Sequence, residues 1–421
     1  MAGMTNWAGN VSFAGSRLHE PASVAELQRL VAGSVRLRAL GTGHSFSPLA
    51  QVDGGDLVSV ARLPMLVEAD RSAGTVTISA GLRYGQLAAI LNLAGLALPN
   101  LASLPHISVA GAVATGTHGS GDRNGCLSTA VTGIELVTAG GDLLQFQRDA
   151  DPAGFAGLVV ALGAFGVVTR LTLRTVPAFS VGQFIYLDLP YEQVAAHFDQ
   201  ITGSGYSVSM FTDWRAQRMT QTWLKRLADR SGPPPPQWMG GMRAGQQVNP
   251  VPGMPGENAT TQLGLPGPWH ERLPHFRADF TPSAGAELQS EYLIGREHAI
   301  AALAALDGIR AVLAPVVQVS ELRTVAADDL WLSPCYQRDT VAYHFTWVPS
   351  PGAVMPVIEQ VEAALAPFAA RPHWGKLFAV PPAELADRYP RLDDFRAKMG
   401  QLDPAGKFRN EFTDSYLPPL P

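Results

Sequence analysis

The 421-residue sequence predicts an α+β protein of two domains. Three observations lead there. The chain is two to three times the length of a usual domain of about 150 residues, and its 46% apolar composition is enough to fill the cores. Up to Pro177, short β-rich runs mix with helical stretches and glycine-rich loops. Beyond it the pattern changes to strand, helix, strand units, which suggests one sheet with helices on one face.

In chain order, Pro21 suits a first helical position, and Val24, Leu27, Leu30 and Val31 then recur at helical spacing. A β-rich run follows at Val35–Leu40, then a glycine-rich loop. Leu57–Val60, Leu66–Ala69 and Thr75–Ser79 read as short strands, and Tyr84–Ala94 returns to helical periodicity. Residues 131–138 and 143–147 form a hairpin pattern around Ala139-Gly140-Gly141-Asp142, and an apolar helix over 155–166 precedes a strand at Val167–Thr175. The second half reads as strand 183–188, helix 191–202, strand 206–213, strand 287–294, helix 296–308, strand 316–325, strand 341–347 and helix 353–366, ending in an irregular tail. The two strand-helix-strand units are the sole repeat. Between them residues 231–269 are rich in Pro and Gly, and Trp238, Trp269 and the apolar residues around Leu263 point to a packed loop over a site.

Composition removes several functions. The net charge is −5 and no dense run of Lys or Arg could track a phosphate backbone, so nucleic acid is not an expected partner. The longest apolar stretch, Pro152–Val168, contains a Pro and four Gly and is shorter than the roughly 20 residues of a membrane span. No charged n-region precedes Arg17, so a cytoplasmic location is expected. Cys126 and Cys335 are too few for a disulfide framework or a CxxC metal site, and no metal is expected. Asn10-Val11-Ser12 and Asn258-Ala259-Thr260 match the glycosylation tripeptide as chance allows. Only four of the 31 basic residues are lysines (Lys225, Lys376, Lys398 and Lys407), which draws attention to any Lys in a polar cluster.

Two glycine-rich segments carry the chemistry. Gly41-Thr42-Gly43-His44-Ser45-Phe46-Ser47 follows a strand, and small residues let backbone amides approach an anion. It lacks the third glycine of a dinucleotide fingerprint, and as a hydrolase elbow it has Ser47 for the final Gly and Pro48 where a helix should start. The second segment, Ser103 to Gly121, has Thr117 where a P-loop requires Lys, yet offers open amides and hydroxyls enough for a pyrophosphate. Each alone is equally a surface loop; two in one domain favour a dinucleotide. His270-Glu271-Arg272-Leu273-Pro274-His275 resembles the zinc-protease HExxH, but its second His is one place too far and Pro274 breaks the helix. On the strand Gln318–Thr324, period two puts Glu321 and Arg323 on one face; on Val341–Trp347, His344 and Thr346 share one face and Tyr343, Phe345 and Trp347 the other. The aromatic face should meet the helices and the polar face a cavity. Arg371-Pro372-His373-Trp374-Gly375-Lys376 adds a His and a rare Lys.

Together Gly41–Phe46 with its His, the Leu104-Pro105-His106 to Gly121 segment, Glu321-x-Arg323, His344-Phe345-Thr346 and Pro372–Lys376 resemble the vanillyl-alcohol-oxidase type of flavoprotein, and within it the alditol oxidases. The likeness runs from Asn6-Trp7-Ala8-Gly9-Asn10 to Leu402–Phe408 and is weakest over 229–250. It implies an FAD-binding domain (1–178), an antiparallel-sheet substrate or cap domain (179–370) and a C-terminal tail (371–421) returning to the first. FAD would be attached covalently through His44. Gly41, Thr42, Gly43, Ser45, Phe46, Ser103, Ser108, Gly111, Thr115, Gly116, Thr117, His118, Val168 and His373 would line it. Ser103, Glu321, Arg323 and Thr346 would touch a polyol, and His344 and Lys376 would complete the cavity.

Oxidising a primary alcohol removes a hydride from carbon and a proton from oxygen, so the site needs the flavin N5 over the carbon and a group that stabilises the developing alkoxide. Arg323 suits the second task, Lys376 or His344 the proton, and Glu321 would orient Arg323 and accept hydroxyl hydrogen bonds. The expected partners are a polyol such as xylitol or sorbitol and O2, with hydrogen peroxide as second product and a monomer as the working unit. A sugar-1,4-lactone oxidase or dehydrogenase is the nearest alternative; a hydrolase built on Ser45 and a non-catalytic polyol-binding flavoprotein are further ones.

Overall fold

The computed structural model describes residues 4–13, 15–52, 54–229, 232–280 and 286–420. In the first half, Ser23 caps the helix Val24–Gly33 by accepting from the Glu26 N–H. Leu27 and Val31 on its buried stripe pack against Leu37, Val58 and Val137. A three-stranded parallel sheet of Leu18–His19, Asp56–Val58 and Leu37–Ala39 precedes a five-stranded antiparallel sheet in the order Val67–Asp70, Thr75–Ser79, Val167–Arg174, Val131–Val137, Leu143–Gln147. The expected apolar helix over 155–166 is instead Pro152–Val159. Its pattern is broken at Leu162 (φ 53) and Gly163 (φ 70), whose carbonyls accept from the buried Arg38 guanidinium.

The second half is a ten-stranded sheet in which all neighbours run antiparallel. Its centre has the order Ser180–Pro190, Arg218–Leu227, Ser207–Thr212, Val317–Val325, Thr340–Trp347, Leu288–Gly295. The expected repeat therefore has one strand more per copy: strand, helix, strand, strand, with the last inserted between the first two. The strand Arg218–Leu227 was not anticipated. The turn before it carries neither Gly nor Pro, and Trp214 takes the left-handed conformation (φ 60) that glycine usually supplies.

Helices Tyr191–Thr202, Ala299–Gly308 and Pro351–Leu365 cover one face of this sheet. Tyr343, Phe345 and Trp347 point into that core as expected, with Phe345 stacked on Trp347 at 5.0 Å and on Trp214 at 6.2 Å. Each such ring stabilises the layer by about 1.5–3 kcal/mol through burial. The opposite face is left free to present charge.

Of the stretch 231–269, the described residues 232–269 are packed. Gln237–Trp238 and Gly241–Arg243 extend the sheet edge, and Val248 and Val251 join a small core with Phe211 and Trp223. The tail is not irregular; it forms helices Pro382–Ala386, Leu392–Leu402 and Glu411–Tyr416. It returns to the first half: Lys407 Nζ donates to the carbonyls of Val31 (2.5 Å) and Ala139 (2.7 Å), and Asn410 Nδ2 to those of Pro48, Leu49 and Gln51. Phe395 packs on Phe165. No helix among the described residues is long and apolar enough to cross a membrane.

Candidate active site and cofactor cavity

A cavity of about 680 Å³ lies between the two halves. One wall is Gly41, Thr42, Gly43, His44, Ser45 and Phe46 together with Ser103, Ser108, Gly111, Thr115, Thr117, His118 and Val168; the other carries Glu321, Arg323, His344 and Thr346 from the sheet; His373 and Lys376 enter from the tail. Gly116 is not brought to the lining. It turns (φ 68) behind the wall, where an added Cβ would meet Pro334 Cδ at 3.2 Å.

The first wall is built for close approach. Residues 109–114, read as loop in the sequence, form a short helix after Ser108, and the Ser108 N–H donates to Thr42 Oγ1 at 3.2 Å. A Cβ added at Gly41 would lie 2.4 Å from Ser108 Oγ of the other loop, and one at Gly111 2.7 Å from the same oxygen, so both positions leave room for that hydroxyl by lacking a side chain. Trp7 stacks on the His44 ring at 5.3 Å and 18°. His44 Nδ1 is buried without a hydrogen-bond partner, and burial lowers this imidazole's pKa to about 4. A neutral ring with a free nitrogen is the form that can bond covalently to carbon. The cradle and the orphaned nitrogen therefore fit a flavin: the loops would hold its phosphates and His44 its ring system.

Register explains the second wall. Phe211 pairs with Glu321, Glu321 with His344 and His344 with Glu291, so three polar side chains line up across adjacent strands on the face away from the helices. Glu291 is the residue that the sequence reading missed, and it is central. Its carboxylate accepts from Arg323 Nη2 at 2.5 Å and Lys376 Nζ at 2.7 Å, while His118 Nε2 faces it at 3.4 Å without hydrogen-bond geometry. Burial pushes its pKa up, but the Lys376 and Arg323 charges outweigh that and hold it well below the ordinary carboxylate range. The alternation Glu287, Gln289, Glu291 was its available signal, one polar face on a strand whose other face is apolar.

Arg323 Nη1 also donates to Ser103 Oγ (3.2 Å), and its Nε lies 3.5 Å from Glu321 Oε2. Glu321 Oε1 is 2.7 Å from His275 Nε2, and His275 Nδ1 is 3.1 Å from Lys225 Nζ. Glu321 too stays well below its usual range, burial being outweighed by Arg323 and His275. Lys376 Nζ donates to His344 Nδ1 at 2.6 Å, and His344 Nε2 is 3.1 Å from Thr346 Oγ1. Burial and then Lys376 push His344 far below 6.5, so it is neutral; burial lowers Lys376 as well, against the pull of Glu291. His373 Nε2 lies 3.5 Å from Thr117 Oγ1, and its Nδ1 accepts the Gly375 N–H. The wall thus juxtaposes two carboxylates, two cations and a neutral imidazole, with hydroxyls at its rim.

The chain is similar to known proteins in sequence and in fold. A family model described as FAD binding domain fits residues 16–147, and one described as D-arabinono-1,4-lactone oxidase fits 286–416. An alditol oxidase from Streptomyces sp. is 52% identical over 98% of this chain and 99% of its own length. An L-gulono-1,4-lactone dehydrogenase from Mycobacterium tuberculosis is 29% identical over 99% of each chain. A solved cholesterol oxidase from B. sterolicum shares the fold at 17% identity, with a TM-score of 0.77 over 99% of this chain and 96% of that one. Fold and cavity together define a two-domain FAD-binding flavoprotein of the vanillyl-alcohol-oxidase type. Within that class the chain belongs to the alditol oxidase family.

Proposed function

We propose that the protein oxidises the terminal primary alcohol of alditols such as xylitol and sorbitol to the aldose while O2 becomes H2O2, with FAD carried covalently on His44. The equation balances as R–CH2OH + O2 → R–CHO + H2O2. Residues 1–178 bind the cofactor, 179–370 cap it and 371–421 complete both walls. FAD, when bound, supplies the two-electron acceptor for the alcohol carbon and can pass the electrons to O2.

The protein's own groups do the rest. Arg323, fixed by Glu291 and Ser103, presents positive charge where alkoxide develops. Lys376, whose pKa burial lowers, takes the hydroxyl proton as the neutral amine, and the ammonium so formed is held by Glu291 at 2.7 Å and donates to His344 Nδ1 at 2.6 Å. Glu321, Thr346 and Ser103 pair substrate hydroxyls, which favours a polyhydroxylated alcohol over an apolar one. The observation that carries this reading is the single sheet face bearing Glu291, Glu321 and Arg323, joined by Lys376 from the tail, opposite the His44 cradle.

The test is peroxide release with xylitol and sorbitol, together with the colour of acid-precipitated protein. Turnover with yellow precipitate is expected, and His44→Ala should give a colourless one. Pigment lost from the native protein on precipitation overturns covalent attachment; no peroxide with any alditol overturns the activity. The lactone-oxidase match over 286–416 supports a second reading, a 1,4-lactone substrate, which gulono-lactone turnover exceeding that of xylitol would establish.

A further inference from the structure

Lys225 is the residue that the proposed chemistry leaves unexplained. It stands on the strand Arg218–Leu227, is 0% exposed, and forms no ion pair with any carboxylate among the described residues. A buried cation without a counter-charge in contact is costly. Its surroundings are nevertheless complete. Nζ has three acceptors: the carbonyl of Leu273, that of Pro274 at 3.3 Å and His275 Nδ1 at 3.1 Å. An ammonium has three N–H donors, so every one is used. With Nδ1 accepting, the ring proton of His275 sits on Nε2, which donates to Glu321 Oε1 at 2.7 Å.

The imidazole cannot swing away. Phe211 and Trp223 pack edge-on against it at 5.4 and 5.1 Å. The His275 N–H donates to the Ser103 carbonyl at 3.0 Å, and Thr260 N–H to the His275 carbonyl at 2.9 Å. The strap that carries His275 therefore holds both Glu321, through the ring, and Ser103, through the backbone. Those are two of the groups that face the cavity beside Arg323.

We propose that Lys225 and His275 are positioning residues which, acting through Glu321, fix the hydroxyl-pairing wall of the polyol site. The assignment rests on the alditol reading above. Lys225 supplies the charge, the neutral imidazole passes its orientation on, and Glu321 is kept as an anion with one oxygen committed and the other available to substrate. Five groups bear on that carboxylate: Arg323, His275, His344, Lys225 and Lys376, all of which favour its ionised form when charged. Burial lowers the pKa of Lys225 to about 7, with Glu321 pulling it back up, in keeping with mutual support between the two ends.

The experiment compares native protein with Lys225→Met and His275→Gln, each at full flavin loading. Lys225→Met should raise KM for xylitol about tenfold while lowering kcat less. Lys225, lowered to about 7, loses its charge as pH rises through that value, so native KM should rise across it and Lys225→Met should lack that pH dependence. His275→Gln keeps a donor to Glu321 but breaks the link to Lys225, and should lack the same pH dependence with a smaller rise in KM. With four lysines in the chain, side-chain-labelled native protein gives a readout that needs no variant to fold. The Lys225 and Lys376 signals should both move when xylitol saturates the reduced, air-free enzyme. Variant KM within twofold of native with the native pH dependence of KM retained, or a single responding lysine, overturn the assignment. Native protein that makes no peroxide from any alditol overturns the functional reading instead.

Discussion

Glu291→Gln is the most demanding perturbation of the site, because the side chain keeps its shape and loses only its charge. The native carboxylate takes hydrogen bonds from Arg323 at 2.5 Å and Lys376 at 2.7 Å in a fully enclosed position. An amide can accept at one atom, but its NH2 then faces a cation. Leaving buried charges uncompensated costs roughly 3–5 kcal/mol. With an unfolding entropy of about 2.1 cal/mol/K per residue, the whole chain has about 0.9 kcal/mol/K, so Tm should fall by about 3–6 °C. Arg323 would retain only Glu321, 3.5 Å from Nε, and Ser103 as anchors. The loss of a preorganised charge at the alkoxide should lower kcat by about 10²–10³-fold. Thermal unfolding followed at the flavin band and peroxide-coupled turnover measure both. A variant within about 0.5 °C and twofold of native, about 0.5 kcal/mol on either assay, would show that Glu291 is no keystone and that Arg323 is held by other means.

Three further outcomes are expected. Lys376→Met should cut turnover by about 10²–10⁴-fold while the protein stays yellow; near-normal turnover would remove Lys376 from proton transfer. Burial, reinforced by Lys376 and Lys225, depresses His373 to about 3 and His275 to about 4, whereas the unfolded residues titrate near about 6.5. The unfolded chain thus binds more protons below that value, and urea midpoints should decline as pH drops from about 6.5 toward 4, less steeply in His373→Asn. Arg38→Met strands the carbonyls of Leu162, Gly163 and Phe408 and leaves that of Leu49 to Asn410 alone, which should destabilise the protein by about 3 kcal/mol or more, read from urea unfolding.

Much of the second wall was legible because strand periodicity is exact at two: once Val341–Trp347 is a strand, the aromatic and polar faces follow. What failed was local punctuation. The turn into Arg218–Leu227 uses Trp214 in place of glycine, and so Lys225 was never placed on a strand. Glu291 escaped because an alternating Glu, Gln, Glu run also describes a solvated edge; only the neighbours Arg323 and Lys376, from other parts of the chain, give it meaning. His275 was reached through a metal motif that its spacing rejects, and its actual role depends on a contact 46 residues away. Long-range pairing of charge is the information that single-sequence patterns do not carry.

The clasp made by Arg38, Lys407 and Asn410 sets the order of manufacture. The guanidinium bonds the Phe408 carbonyl across 370 positions, and Lys407 closes onto Val31 and Ala139. Those partners are made hundreds of positions after the helix and hairpin they hold, so the emerging amino-terminal half lacks these bonds until the tail arrives. Trimming the chain ahead of position 407 should therefore loosen residues far upstream of the cut.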